Sequence, residues 1–87
     1  MIFTVEFTRR SVKELNTFDS KIANKISHKI QTLAKNPSNK ALDIKKLKGL
    51  SNVYRMRVGN YRVIYEIENN KLIITVIKIG IRGDIYG

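Results

Sequence analysis

The stretch that decides the fold is residues 54–65, YRMRVGNYRVIY. Its centre, Gly59-Asn60, is a two-residue turn signal between runs of alternating residues, which predicts a β-hairpin. The turn sets the register, pairing Val58 with Tyr61, Arg57 with Arg62, Met56 with Val63, and Tyr54 with Tyr65. Alternation along the two strands then separates an apolar face from a basic face.

The basic face of the hairpin carries Arg55, Arg57 and Arg62, and we call it the arginine face. Like charges directly opposite one another destabilise a sheet, so folding alone gives no reason to place Arg57 across from Arg62. A guanidinium fork matches the geometry of a phosphate. The arginine face therefore predicts binding to a nucleic-acid backbone, with an acidic protein partner as the alternative.

The charge of the whole chain favours the same ligand class. The 17 Lys and Arg residues outnumber the 7 Asp and Glu residues, giving a formal net charge of +10. Such a field favours polyanions. The excess is concentrated in residues 40–62, where the basic residues are Lys40, Lys45, Lys46, Lys48, Arg55, Arg57 and Arg62. The acidic residue of that segment, Asp43, is interpreted as a solvated turn residue, and Lys71 and Lys78 as solubilising lysines.

Length and composition indicate one domain spanning residues 1–87. No cysteine is present, which excludes disulfides and thiolate chemistry. The amino terminus lacks the apolar run of a signal peptide, and no segment approaches the roughly 20 apolar residues of a membrane span. We expect a cytoplasmic protein with no membrane association.

Two helices are predicted after a short strand over Ile2 to Phe7. Thr8 serves as the N-cap of the first helix, with Phe7 and Val12 as a hydrophobic staple and Val12, Leu15 and Phe18 as its buried side. Asp19 caps the second helix, which Asn36-Pro37 ends. Its buried side carries Ile22, Ile26, Ile30 and Leu33.

The rest of the chain reads as loop, hairpin and a final strand. A loop from about Pro37 to Lys46 leads into the hairpin, and Asn69-Asn70 turns into an apolar strand over Lys71 to Ile79. This order predicts an α+β fold, in which two helices pack on one face of an antiparallel sheet and leave the arginine face open.

The sequence offers few groups for acid–base or metal chemistry. His28 falls in the middle of the second helix and is interpreted as a surface histidine. Glu68 is expected to pair with Lys71, and Glu66 to have a structural or arginine-orienting role rather than that of a general base. Because His, Cys and carboxylates at metal-ligand spacing are absent, we expect neither a metal nor a cofactor.

The segment KKLKGLSNVYRMRVGNYRVIYEI, residues 45–67, is followed by an apolar strand and by GIRGDIY at 80–86. This pattern resembles the RelE/ParE superfamily of toxins from toxin–antitoxin modules. The resemblance implies two helices on an antiparallel sheet and an antitoxin protein as partner. RelE-like members are implied to be metal-independent endoribonucleases that cut messenger RNA in the ribosomal A site, whereas ParE-like members poison DNA gyrase.

Carried onto this chain, the RelE pattern implies functional roles for Arg55, Arg57, Arg62, Arg82 and Tyr86. Arg57 and Arg62 are expected to clamp the reacting phosphate, and Arg82 and Arg55 to bind flanking phosphates or assist the leaving group. Tyr86 is expected to stack on a base or transfer a proton, and Lys45, Lys46 and Lys48 to bind RNA.

The chain also departs from that pattern. Arginines replace the lysines common in the RelE branch, and a guanidinium is not a comfortable general base. Ribosome-dependent messenger cleavage is the leading interpretation. Gyrase poisoning and a catalytically weakened RNA- or antitoxin-binding domain are the alternatives.

Overall fold

The computed structural model of the chain describes residues 2–81. In chain order its elements are β1 (Thr4–Phe7), α1 (Arg9–Asn16), α2 (Ser20–Lys35), β2 (Asp43–Lys46), β3 (Val53–Val58), β4 (Tyr61–Glu68) and β5 (Ile73–Ile81). The strands form a single sheet in the order β1-β5-β4-β3-β2. The expected α+β fold, with both helices on the apolar face of the sheet, is confirmed.

The sheet is mixed, so the expectation of an antiparallel sheet throughout is wrong in one respect. Strands β2 to β5 pair antiparallel, but β1 runs parallel to β5, with Thr4 opposite Ile73 and Phe7 opposite Val76. The first strand thus pairs with the last one, far along the chain. Nothing local in residues 2–7 encodes the direction of that distant partner.

The central hairpin of β3 and β4 has the predicted register, including Arg57 opposite Arg62 and Tyr54 opposite Tyr65. Gly59 has a φ of 59°, whereas Asn60 has a negative φ, as in a type II′ turn. On the apolar face the rings of Tyr54 and Tyr65 stack with centroids 5.7 Å apart. The turn chemistry and the alternation together were therefore sufficient to fix this part of the sheet.

Helix α2 supplies most of the helical side of the core, as predicted. The Asp19 side chain accepts a hydrogen bond of 3.0 Å from the Ile22 amide and caps the helix, which ends at the C-cap Asn36. Ile26 and Leu33 are fully buried, and they join one apolar cluster with residues of the sheet such as Met56.

Helix α1 begins at the predicted N-cap, and Leu15 and Phe18 of its predicted buried side pack against the core, whereas Val12 is exposed. The Thr8 hydroxyl accepts a hydrogen bond of 3.2 Å from the Ser11 amide. The proposed hydrophobic staple is wrong, since Phe7 and Val12 are 39% and 43% exposed and the buried residue of the helix is Ser11. Thr8 also donates to the Ile77 carbonyl at 2.8 Å, which fixes the start of the helix against β5 and turns Ser11 inward.

Helix α1 supplies a hydrogen-bond acceptor to the edge of β5, just beyond the residues that pair with β1. The Glu14 carboxylate accepts a hydrogen bond of 2.8 Å from the Ile79 amide, beyond the last residue that β1 pairs. A backbone donor on the edge of β5 thereby gains a charged acceptor.

The segment expected to be a loop from Pro37 to Lys46 contains strand β2, which pairs with β3 at the sheet edge. With only Ile44 apolar among its four residues, β2 carries too little alternation to be predicted. The last strand spans Ile73–Ile81 rather than Lys71–Ile79, because the turn after β4 runs on to Leu72, which has a φ of 55°.

Candidate nucleic-acid interface

The first cross-strand row of the interface joins four strands on the side of the sheet away from the helices. Asp43 of β2 lies opposite Arg57 of β3, which lies opposite Arg62 of β4, which lies opposite Gly80 of β5. Directly opposed residues share one face of a sheet, and neighbouring strands are about 4.8 Å apart. Asp43, Arg57 and Arg62 therefore project from neighbouring strands on one face of the sheet, and Gly80 adds no side chain to the row.

A second row lies two residues along the strands from the first one. Lys45 is opposite Arg55, Arg55 is opposite Ile64, and Ile64 is opposite Lys78. Two residues of a strand span about 6.7 Å. The two rows thus present five cations and one carboxylate over an area that could follow several phosphates of an RNA strand.

The three arginines of the arginine face differ in exposure. Arg57 is exposed, and its Nε donates a hydrogen bond of 3.3 Å to the Gly59 carbonyl of the turn. Arg55 and Arg62 are half-buried, and their Nε atoms are shielded from solvent. Arg57 is thus the guanidinium of this group most accessible to a ligand.

The remaining predicted site residues are placed as follows. Lys46 lies opposite Tyr54, which places it on the apolar side of β2, away from the arginine face. Lys48 is exposed in the connection between β2 and β3. Arg82 and Tyr86 lie outside the described residues, so their predicted roles remain predictions.

Two residues of these rows were not recognised from the sequence. The sequence predicts Asp43 to be a turn residue, but it is the first residue of β2 and lies opposite Arg57. The sequence predicts Lys78 to be a solubilising lysine, but it extends the row of Lys45 and Arg55. Recognising Asp43 required the unpredicted strand β2. Lys78 has one signal in the sequence, its place between the apolar Ile77 and Ile79 of an alternating strand.

The other acidic groups have separate surroundings. Glu66 lies on the arginine side of β4, opposite Val53 and Thr75. Glu68 pairs with Lys71 at 3.7 Å within the turn, although its strand partner is Ile73. His28 is exposed on α2, as expected.

Within residues 2–81, no group of three or more His, Cys, Asp or Glu side chains could hold a metal ion. Neither of the helices in this part of the chain is long and apolar enough to cross a membrane.

On the opposite face, Tyr65 is the buried ionisable group behind the interface. Its exposure is 2%, and burial raises the pKa of its phenol, with a smaller contribution from the nearby Tyr54. Tyr65 is therefore a neutral core residue at physiological pH, and the polar chemistry of the hairpin is confined to the arginine face.

Comparison with known proteins agrees with this geometry. The family described as "ParE toxin of type II toxin-antitoxin system, parDE" matches residues 5–86. "Toxin RelE3" of Methanocaldococcus jannaschii is 38% identical over 71 residues, which covers 79% of this chain and 81% of that protein. "mRNA interferase toxin RelE" of Escherichia coli K12 is 25% identical over 84 residues, covering 94% of this chain and 85% of that protein.

The fold is shared with a solved toxin–antitoxin complex. The archaeal RelE–RelB complex from Pyrococcus horikoshii OT3 contains a chain that superposes with a TM-score of 0.83 at 28% identity. The match covers 97% of this chain and 99% of that one. This chain belongs to the RelE/ParE family of toxins from type II toxin–antitoxin systems.

Proposed function

We propose that this protein is a toxin that enters the ribosome and cuts messenger RNA in the A site, thereby stopping translation in the cytoplasm. The observation that carries the proposal is the row in which Arg57 stands directly opposite Arg62 on the side of the sheet away from the helices. Repulsion between these groups costs stability, and a phosphate between them would relieve it. The similarity to a protein named an mRNA interferase supports the same activity.

The proposed reaction is a transesterification within the RNA. The 2′-hydroxyl attacks the adjacent phosphorus, and the pentavalent phosphate that forms carries more negative charge than the ground state. Arg57 and Arg62 stabilise that charge, which is the type of interaction whose loss commonly lowers kcat by about 10²–10³. Arg55 and Lys45 lie in the next row, where they bind the flanking phosphate.

The remaining roles follow from the family pattern. Arg82 binds a phosphate or assists the leaving group, and Tyr86 stacks on a base of the messenger or transfers a proton. Lys48 extends the RNA contact beyond the end of β2, and Lys46 contacts RNA from the other side of that strand. None of these steps uses a metal ion or an organic cofactor.

The proposed inhibitor of the protein is a cognate antitoxin. The solved complex of a similar toxin with RelB supports a protein partner of this kind. An antitoxin with an acidic extended or helical segment would neutralise the arginine face and so block access to RNA.

The proposal is tested by adding the purified protein to a reconstituted translation reaction and mapping new 5′ ends on the messenger, with and without ribosomes. We expect cuts that require ribosomes and fall within the codon at the A site. An intact messenger, together with inhibition of DNA gyrase in a supercoiling assay, would refute messenger cleavage and favour gyrase poisoning.

A further inference from the structure

Asp43 lies beside the two arginines that are proposed to bind the reacting phosphate. It is exposed, it begins strand β2, and it is the direct cross-strand neighbour of Arg57 in the row that continues to Arg62. The backbone of Asp43 thus lies about one strand spacing, roughly 5 Å, from the strand that carries Arg57.

The Asp43 carboxylate forms no ion pair within 4.0 Å among the described residues. Within residues 2–81 the ion pairs closer than 4.0 Å are Arg10–Glu14 and Lys71–Glu68. The Arg57 side chain instead donates to the Gly59 carbonyl, although an aspartate faces it. Asp43 is therefore an exposed carboxylate, beside a cationic row, that is available to accept a proton.

The cleavage reaction needs a group that accepts the proton of the 2′-hydroxyl, and the arginines do not supply one. A guanidinium in a protein is not deprotonated, so neither Arg57 nor Arg62 takes the proton of a 2′-hydroxyl. Glu66 and Glu68, the carboxylates on this side of β4, lie four and six residues from Arg62, which is about 13 and 20 Å along the strand. Among the described residues, Asp43 is thus the carboxylate closest in register to both arginines.

We propose that Asp43 is the general base of the cleavage reaction, an inference that rests on the proposed function. Its carboxylate takes the proton of the 2′-hydroxyl as the 2′-oxygen forms a bond to phosphorus. The bond from phosphorus to the 5′-oxygen breaks, and the leaving oxygen takes a proton from water. The products are a 2′,3′-cyclic phosphate and a 5′-hydroxyl end, and the hydroxide that remains takes the proton back from Asp43.

A purely electrostatic role for Asp43 predicts a different cleavage rate from a role as general base. If Asp43 only tempers the repulsion between Arg57 and Arg62, its removal leaves the row more positive and RNA bound more tightly, with no loss in the rate of chemistry. If Asp43 is the base, its removal also strengthens or preserves RNA binding, but the bond-breaking step slows strongly.

The experiment measures single-turnover cleavage on messenger-programmed ribosomes at saturating protein. The test variant is Asp43→Asn, and Glu68→Gln is the matched control, because both remove one negative charge from the same side of the sheet and Glu68 lies outside both rows. We expect Asp43→Asn to slow cleavage by about 10²–10⁴-fold, the usual contribution of general acid–base catalysis, while Glu68→Gln stays near the wild-type rate. Asp43→Glu should restore part of the rate.

A second substrate distinguishes the base from a proton donor. With sulfur in place of the bridging 5′-oxygen, the leaving group no longer needs a proton, so a defect in proton donation is rescued and a defect in the base is not. We expect no rescue of Asp43→Asn. Rescue, a wild-type rate in Asp43→Asn, or a loss confined to Glu68→Gln would overturn the assignment to Asp43. If the wild-type protein leaves the messenger intact, both the assignment and the proposed function fall.

Discussion

Replacing Arg57 by alanine should abolish messenger cleavage and lower the free energy of unfolding only slightly. The change relieves the repulsion from Arg62 and removes the attraction of Asp43 on the other neighbouring strand, each worth about 0.2–1 kcal/mol. It also removes an exposed hydrogen bond of 3.3 Å to the Gly59 carbonyl, a loss of about 0.5 kcal/mol. Alanine is a poorer strand former by a fraction of a kcal/mol. The two charge terms offset each other, so we expect a net loss of under about 1 kcal/mol.

The assay is urea unfolding followed by circular dichroism, together with ribosome-dependent cleavage of a messenger by the same protein preparation. Met56→Ala is the contrasting variant. Met56 is the neighbour of Arg57 on the buried face, with no exposed surface, and its truncation should cost about 2–5 kcal/mol. Arg57→Lys keeps the positive charge but not the planar fork, so it should restore the repulsion without full activity.

A fall of more than about 1.5 kcal/mol in Arg57→Ala, with an unchanged slope against urea, would refute this reasoning. Such a result would mean that Arg57 stabilises the fold through contacts that outweigh its repulsion from Arg62. The inference that the arginine face is maintained for an anionic ligand would then lose its energetic basis.

Three further predictions concern stability. Glu14→Ala should lower the free energy of unfolding by about 1–3 kcal/mol, because it leaves the Ile79 amide of β5 without an acceptor. Arg10→Ala, which removes only the exposed ion pair with Glu14, should cost under about 0.5 kcal/mol. Equal losses in urea unfolding would contradict the role of the carboxylate. Because its folded-state pKa is raised, Tyr65 should make stability fall by about 1.4 kcal/mol per pH unit above about pH 10, where the unfolded chain ionises. Thermal melts should show that Tyr65→Phe removes most of this alkaline loss, and an unaltered pH profile would count against it. Gly59→Ala should cost about 1–2 kcal/mol, because a φ of 59° is unfavourable for a residue with a Cβ. Crowding would not contribute, since the new Cβ would lie 3.5 Å from the Lys25 Nζ, an ordinary van der Waals contact. A melting temperature equal to that of the wild type would be inconsistent with this backbone conformation.

The hairpin and α2 could be predicted from the sequence because their signals are local. Gly59-Asn60 sets the turn, alternation sets the faces, and Asp19 with the spacing of Ile26 and Leu33 sets the second helix. Each of these signals lies within a few residues of the structure that it specifies. For function, this means that the sequence alone predicts the pairing of Arg57 with Arg62 across the hairpin.

The features that escaped prediction depend on distant parts of the chain. The direction of β1 is set by β5, and the exposure of Val12 is set by the way Thr8 docks on Ile77. Strand β2 exists because β3 offers it an edge, since its own sequence has little alternation. For that reason Asp43 was assigned to a turn, and its position beside Arg57 became visible only in the structure.

The measurement that tests the central claim most directly compares two charge-removing variants in the messenger cleavage assay. Arg62→Ala removes a cation from the arginine face, and Lys71→Ala removes one from the turn after β4, outside both rows. With ribosomes present, our account predicts that new 5′ ends vanish for Arg62→Ala and persist for Lys71→Ala. Cleavage by a folded Arg62→Ala protein at the wild-type rate, or equal losses in the two variants, would contradict it.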